Sequence, residues 1–306
     1  MSKIQVLDPI TIDKIAAGEV VERPSSVVKE FGKNAIDAGA SAITVEIKEG
    51  GISLIRITDN GCGIPKEEVP LAFLRHSTSK IRSAEDLMCV HSLGFRGEAL
   101  SSIAAVSRVE MITKPADALT GTRYVIEGSK EIADEEIGAP DGTTFLVRDL
   151  FYNTPARKKF LKTPQTEAGY ISALARRKFL KTAQTEGTYI SDMLEKLALS
   201  HPDISFKYIN NNQTRLHTSG NGKKRDLIYH IYGREIAAAL LEVNYKGEYF
   251  SLSGYIGKPV INRGNRNYEN YFINGRYIKS ALLSKAVEEA YKGFMMQHQY
   301  PFCVLY

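Results

Sequence analysis

The apolar positions of the first 150 residues fall into two periods. Over 11–21 they recur at helical spacing, with Ile12, Ile15, Ala16 and Val20 on one side, after a turn at Asp8-Pro9. Pro24, Ser25 and Ser26 then punctuate the chain. A serine there is a suitable N-cap for a second helix over 27–38, and Gly39 is a natural stop. Two alternating runs, 43–47 and 54–57, joined by Glu49-Gly50-Gly51, predict a β-hairpin that runs into the loop Asp59-Asn60-Gly61-Cys62-Gly63. Pro65 opens a short helix over 66–74. Residues 75–98 carry Ser, Gly, Arg and Lys without apolar periodicity and predict a long loop, of the kind that often serves as a functional lid. A small-residue helix over 99–105 and strands near 109–113, 121–127 and 143–148 complete an α+β pattern with a largely antiparallel sheet.

The second half contains a tandem repeat. Residues 156–174 recur at once as 175–193, with 13 of 19 positions identical. Two copies are too few for a solenoid, so the repeat reads as a local duplication, accommodated at the surface as two helices or one helical hairpin. A strand over 204–209 and a turn at Asn210-Asn211-Asn212 follow. The charged, glycine-containing stretch 219–225 is the best domain boundary, dividing the chain into 1–220 and 221–306. Beyond it the pattern predicts a helix over 227–232, strands near 239–243, 249–256 and 269–273, and a helix over 280–291. Residues 301–306 read as a strand that simply stops, as expected of a piece of a longer chain.

Composition narrows the class. The 306 residues are ordinary globular material, 43% hydrophobic and 25% charged, with a net charge of +5 that permits an anionic partner without demanding one. The three cysteines, Cys62, Cys89 and Cys303, lack metal-ligand spacing and suit a reducing compartment, so a cytoplasmic, nucleoid-associated protein is expected. No apolar run approaches the ~18 residues of a membrane span.

Three stretches carry candidate chemistry. On the helix 27–38, Glu30, Asn34 and Asp37 are spaced by four and three and share a face, a pattern that suits a metal ion, a water or a polar ligand, and equally a solvated amphipathic helix. Asp59 stands at a strand end before two glycines, where a carboxylate can accept a hydrogen bond from an exocyclic amine such as that of adenine; a plain Asp-Asn-Gly turn is the alternative. Gly94-Phe95-Arg96-Gly97-Glu98 opens a helix whose free N–H groups can hold a phosphate, or is an ordinary glycine loop. Neither a P-loop nor a GxGxxG fingerprint is present.

In combination these stretches occur in the order and spacing of the GHKL ATPases. IAAGEVVERPSSVVKE (15–30), NAIDAGA (34–40), DNGCGI (59–64), RHSTSKI (75–81), SLGFRGEALSSI (92–103), DGTTFLVRDLFYNTPARKKFLK (141–162) and FINGRYIKSALLSKAV (272–287) are similar to the MutL family of DNA mismatch-repair ATPases over essentially the whole chain. The resemblance implies a GHKL α/β sandwich followed by a transducer domain like the second domain of ribosomal protein S-five. It also implies ATP and Mg²⁺ as cofactors. Glu30 would be the general base that activates water, Asn34 the Mg²⁺ ligand, and Asp59 the adenine contact, with Gly63 beneath the ring and Thr143 beside Asp59. Thr78, Ser79 and Lys80 would belong to the lid, Gly94, Phe95, Arg96, Gly97 and Glu98 would wrap the triphosphate, and Lys292 is the candidate lysine from the second domain for the γ-phosphate. Implied partners are DNA, the mismatch-recognition protein MutS, downstream repair factors and, on ATP binding, a second copy of the chain.

Two departures from the family pattern matter. Between the base and the Mg²⁺ ligand the chain runs Glu30-Phe31-Gly32-Lys33-Asn34, where the family has two apolar residues and an acid. Gly32 costs a helix ~1 kcal/mol relative to Ala. Lys33 can pair with Glu30 and weaken it as a base, repel Mg²⁺, grip a phosphate or point to solvent, and the first of these implies ATP binding with slow hydrolysis. The tandem adds charge: residues 156–182 hold eight Lys or Arg against the single acid Glu167, so Arg157, Lys158 and Lys159, with Arg263 and Arg266 further on, are candidates for sequence-independent phosphate contacts with DNA, or a solvated face. A gyrase-type ATPase half fits the 92–103 and 141–162 stretches less well, and a histidine kinase would need a phosphoacceptor helix that is not found.

Overall fold

The hydrophobic periodicity is resolved into two units in a computed structural model, which describes residues 8–81, 85–86, 92–94, 97–158 and 182–306. The first unit comprises Met1–Leu194 and Phe206–Leu216, and the second Glu195–Ser205 and His217–Tyr306.

The first unit is built on one sheet. Its strands are β1 (Ala42–Lys48), β2 (Leu54–Asp59), β3 (Arg108–Lys114), β4 (Gly121–Glu127), β5 (Lys130–Ile137), β6 (Gly142–Arg148), β7 (Ser205–Asn210) and β8 (Gln213–His217), in the spatial order β5-β4-β3-β6-β2-β1-β7-β8. Pairs from β5 through β1 are antiparallel. Strands β1, β2, β3 and β6 bury alternate residues, so one face of the sheet is core. Strand β5 escaped the sequence reading because it is an edge strand, KEIADEEI, with almost every side chain exposed; its acids leave no apolar alternation to detect and protect the edge.

Three helices cover the core face. Helix α1 (Pro9–Val20) packs on α4 (Ala99–Val106), and α2 (Pro24–Asp37) lies on β1 and β2. The expected apolar side of α1 is not the packed one. Ile12 is 39% and Ile15 58% exposed, while Ala17 is fully buried. Periodicity identifies a stripe, but only the neighbouring helix decides which residues it covers. Helix α2 begins at Pro24, with Arg23 in extended conformation at the N-cap and no side-chain cap, so the serines lie inside the helix rather than capping it. Its buried side carries Val27, Val28, Phe31 and Ala35. The ring of Phe31 stacks on Phe145 of β6, with centroids 4.2 Å apart and planes within 10°. The predicted helix over 66–74 is shorter: a 3₁₀ turn over Lys66–Glu68 and one α-turn, α3 (Val69–Ala72), with Pro70 in its first turn.

The tandem region is described at its two ends. Copy one begins in α5 (Pro155–Lys158), and copy two ends in α6 (Ala183–Ser200), which continues to Ser200. The end of copy two is core rather than surface: Glu186, Gly187 and Ile190 are buried, and Tyr208 of β7 donates to the Gly187 carbonyl at 3.1 Å. An apolar slot beside β7 took this segment, which charge counting over the repeat could not reveal.

In the second unit, α7 (Lys224–Tyr232) and α8 (Arg234–Ala238) precede β9 (Leu240–Lys246), β10 (Ser251–Gly257), β11 (Asn262–Arg263), β12 (Glu269–Ile273), β13 (Arg276–Ile278), α9 (Ala281–Ala290), β14 (Tyr300–Pro301) and β15 (Cys303–Leu305). The main sheet runs β13-β12-β15-β10-β9, and β11 pairs with β14 apart from it. Strand β15, read from sequence as a terminal run, is fully buried. It pairs in parallel with β12 and antiparallel with β10. Among the described residues no helix is long and apolar enough to cross a membrane.

The placement of the second copy generates a test. Joining Pro155 directly to Ala175 excises copy one and puts Arg176 at the position of Arg157. The shortened chain should fold and melt cooperatively within about 1 kcal/mol of the parent by urea denaturation, because the core-forming copy is retained.

Candidate functional site

The polar side of α2 is the floor of the site, because the stack of Phe31 on Phe145 turns the other side to the sheet. Glu30, Lys33, Asn34 and Asp37 are all partly buried there. Lys33 Nζ donates to Glu30 Oε1 at 2.8 Å, with side chains only 21% and 26% exposed, so of the readings open for Lys33 the pairing with Glu30 is the one adopted. Asp37, to which the family resemblance assigned no role, is the most heavily bonded group of the face. It accepts the Leu93 backbone N–H at 2.9 Å and that of Gly94 at 3.3 Å, and it pairs with the Lys80 ammonium. Lys80 also donates to Asn34 Oδ1 at 3.2 Å.

The residues expected to form the lid and the phosphate loop are placed unequally. Lys80 N donates to Thr78 Oγ1 at 3.2 Å, and Ser79 is exposed. Gly94 approaches Glu30, since a Cβ added to it would lie 4.0 Å from Glu30 Oε2. Gly97 has φ +64° and packs on the backbone of Ser77, where a Cβ would come within 2.4 Å of the carbonyl oxygen; only glycine fits. Glu98 precedes α4 and pairs with His76, 3.3 Å away. Phe95 and Arg96 lie outside the described residues.

The other end of the site is formed by three adjacent strands. Asp59 closes β2, facing Thr143 on β6, which in turn faces Thr113 on β3. All three are buried. Burial pushes the Asp59 carboxyl above its usual value, opposed by the N–H groups of Gly61 and Thr143, which pull it down. Thr113 was missed from sequence: its Oγ1 accepts the Ile64 N–H at 2.9 Å and lies 2.9 Å from Thr143 Oγ1, tying the loop after Gly63 to the sheet. Its only signal was an inward position in a strand. Gly63 has φ +70°, and a Cβ there would come within 2.4 Å of the Lys114 carbonyl oxygen. The loop is also fixed to α2, since Cys62 N donates to the Ala38 carbonyl at 3.0 Å, and to β1, since Asn60 Oδ1 accepts the N–H of Ser41 and Ala42.

The structure therefore brings together an end with a buried carboxylate and a floor with carboxylates, an amide and two lysines. Among the described residues no group of three His, Cys, Asp or Glu side chains is placed to hold a metal. That donor set fits Mg²⁺ none the less, because Mg²⁺ keeps much of its water and is held by one or two protein oxygens with substrate phosphates. Asn34 Oδ1 already carries a cationic group, the Lys80 ammonium.

The remaining candidates have other surroundings. Arg157 is half-buried, its guanidinium directed to the carbonyls of Val21 at 3.3 Å and Ala17 at 3.5 Å, and lying against Gly18. It caps the end of α1 rather than standing free on a basic face. The side chain of Lys158 and all of Lys159 lie outside the described residues. In the second unit Lys292 follows α9, exposed and paired with Glu289 at 3.0 Å, and borders a cleft of about 440 Å³ lined also by Lys285, Met296 and Tyr300. Arg263 is exposed and lies over the Tyr268 ring at 4.9 Å. Arg266 makes two hydrogen bonds to Glu288, at 2.5 and 3.1 Å.

Comparison with known proteins bears on the family and the fold. Residues 19–148 match the family model of histidine kinase-, DNA gyrase B- and HSP90-like ATPases, and residues 228–306 that of the DNA mismatch repair protein C-terminal domain. The DNA mismatch repair protein MutL of Agathobacter rectalis is 72% identical over the whole of this chain. The chain belongs to the MutL family. It covers 44% of the Agathobacter protein and 49% of the MutL of Caldanaerobacter subterraneus, to which it is 46% identical, and so spans less than half the length of these relatives. The Aquifex aeolicus MutL ATPase domain complexed with ADP superimposes on this MutL-family chain with a TM-score of 0.65 at 25% identity, over 94% of this chain and 92% of that one. The N-terminal domain of a DNA repair protein gives 0.74, also at 25% identity, over 96% and 86%.

The Asp59 environment predicts a pH effect. Its folded-state value is raised, so the ionised carboxylate costs stability above that value and the cost fades as pH falls through it. Asp59→Asn should melt higher than the parent at about pH 7, with the gap closing toward about pH 4 in thermal scans.

Proposed function

We propose that this chain is the ATP-binding and ATP-hydrolysing module of a DNA mismatch-repair protein. The observation that carries the reading is the polar face of α2, which presents Glu30 and Asn34 beside Gly94 while the α2 C-terminus holds the Asp59 loop. In this reading Asp59 accepts the exocyclic amine of adenine, and Thr143 sits beside it. The backbone N–H groups around Gly94 and Gly97, with the start of α4, hold phosphate oxygens. Asn34 would hold Mg²⁺, which supplies charge neutralisation on the phosphates. Glu30 orients a water and takes its proton.

The pairing of Lys33 with Glu30 supports a second reading, an ATP-gated scaffold that turns over slowly. With the Lys33 ammonium on its Oε1, Glu30 has less acceptor capacity left to hold and orient a water. Glu30→Ala should retain ATP affinity by calorimetry and lose phosphate release. Lys33→Glu, restoring the acid of the family pattern, should raise steady-state turnover on the order of tenfold. Equal rates for Lys33→Glu and the parent would remove the slow-turnover reading.

DNA is the partner best supported by charge, through phosphate contacts of the second unit. Arg263 is exposed and makes no ion pair among the described residues, whereas Arg266 is committed to Glu288. DNA affinity should fall linearly with log salt, and Arg263→Ala should reduce the slope by about 1, measured by fluorescence anisotropy between about 50 and 200 mM salt. ATP-dependent pairing of two copies, contact with a mismatch-recognition protein such as MutS and a cytoplasmic, nucleoid-associated location follow from family membership. The exposed Ile12 and Ile15 give α1 an apolar surface that suits the pairing.

A further inference from the structure

We propose that Lys80 holds the Asn34 amide oxygen, and that a divalent ion arriving with nucleotide must take Asn34 from it. The inference rests on the nucleotide-binding reading above. Each carboxylate of the α2 face has its own lysine: Lys33 serves Glu30, and Lys80 serves Asp37. The two lysines are not equivalent. Lys33 bonds one partner within its own helix, three residues away. Lys80 reaches from a distant segment and bridges two neighbours, Asp37 Oδ2 and Asn34 Oδ1.

The bridge has a strong arm and a weak one. Asp37 is fixed by the backbone N–H groups of Leu93 and Gly94 as well as by Lys80, and its side chain is 9% exposed. That arm joins full charges in a poorly solvated place, so it anchors the lysine. The arm to Asn34 is a 3.2 Å bond to a neutral amide. An ammonium has three donors and can release that one without losing Asp37. A divalent cation at the same amide oxygen would face the ammonium at short range, and like charges there repel. Metal and lysine therefore compete for Asn34. The displaced ammonium keeps its anchor on Asp37 and gains a free donor for an anionic oxygen.

This competition has a signature that an ordinary phosphate contact lacks. Removing the lysine weakens nucleotide binding without metal, because a cation is lost, while the metal gains an unopposed amide. ADP affinity is measured by calorimetry in Mg²⁺ and in EDTA for the parent, Lys80→Met, Lys80→Gln and Lys66→Met; Lys66 is paired with Glu136 and serves as the control. The ratio of the two dissociation constants should rise about fivefold or more in both Lys80 variants and stay at the parent value in Lys66→Met. Lys80→Gln keeps a donor toward Asp37 and provides the reading if Lys80→Met does not fold. Equal weakening with and without metal, or a smaller ratio, would overturn the competition and leave Lys80 a phosphate contact or an anchor for Asp37. A parent chain that binds no ADP at all would remove the nucleotide-binding reading itself, a result distinguishable from an unchanged ratio.

Discussion

The stack of Phe31 on Phe145 is the contact on which the site depends. It is a face-to-face packing of two buried rings, one from α2 and one from β6, near the middle of the first unit's sheet. Truncating such a ring typically costs about 3–5 kcal/mol. The consequence for function is rotational. With Phe31, Val27, Val28 and Ala35 held on the sheet, Glu30, Lys33, Asn34 and Asp37 must face away from it. Strand β6 also carries Thr143, the neighbour of Asp59, so the strand that seats α2 also builds the other end of the site. The two ends are therefore positioned by one strand.

The charge arrangement on α2 follows from limited solvation. Two carboxylates on a partly buried face repel each other and lack water, so each is bonded to a cation or to backbone N–H groups. Lys33 and Lys80 supply the cations, and Leu93 and Gly94 the N–H groups. These partners also shape the chemistry. The lysine on Glu30 occupies one of its carboxylate oxygens, and the lysine on Asp37 also reaches the Asn34 amide oxygen. The replacement of a family acid by Lys33 is thus a change on the polar face of α2 itself, unlike the duplication, whose described parts lie at α5 and α6.

Much of the local placement was legible in the chain. That Glu30 and Asn34 share a helix face, and that Asp59, Gly63 and Gly97 lie at glycine-containing turns, was readable because spacing along a helix and glycine beside a turn are local properties. Asp37 was undervalued because its partners, Lys80, Leu93 and Gly94, are more than forty residues away. Thr113 was invisible because an inward threonine in a strand looks like any other. Arg157 looked like part of a basic face because charge counting does not register that its guanidinium turns inward to the carbonyls of α1.

Sequence by itself determined the α+β class, the alternating strands β1, β2, β3 and β6, the polar face of α2 and the family to which the chain belongs. These depend on short-range periodicity and on motifs of a few residues. Tertiary structure decided which side of α1 is covered, that the edge strand β5 forms without an apolar pattern, that β15 lies between β10 and β12, and which lysine neutralises which carboxylate. Each of these is a choice among partners distant in the chain. Burial and charge pairing select one of them, and neither has a local signature.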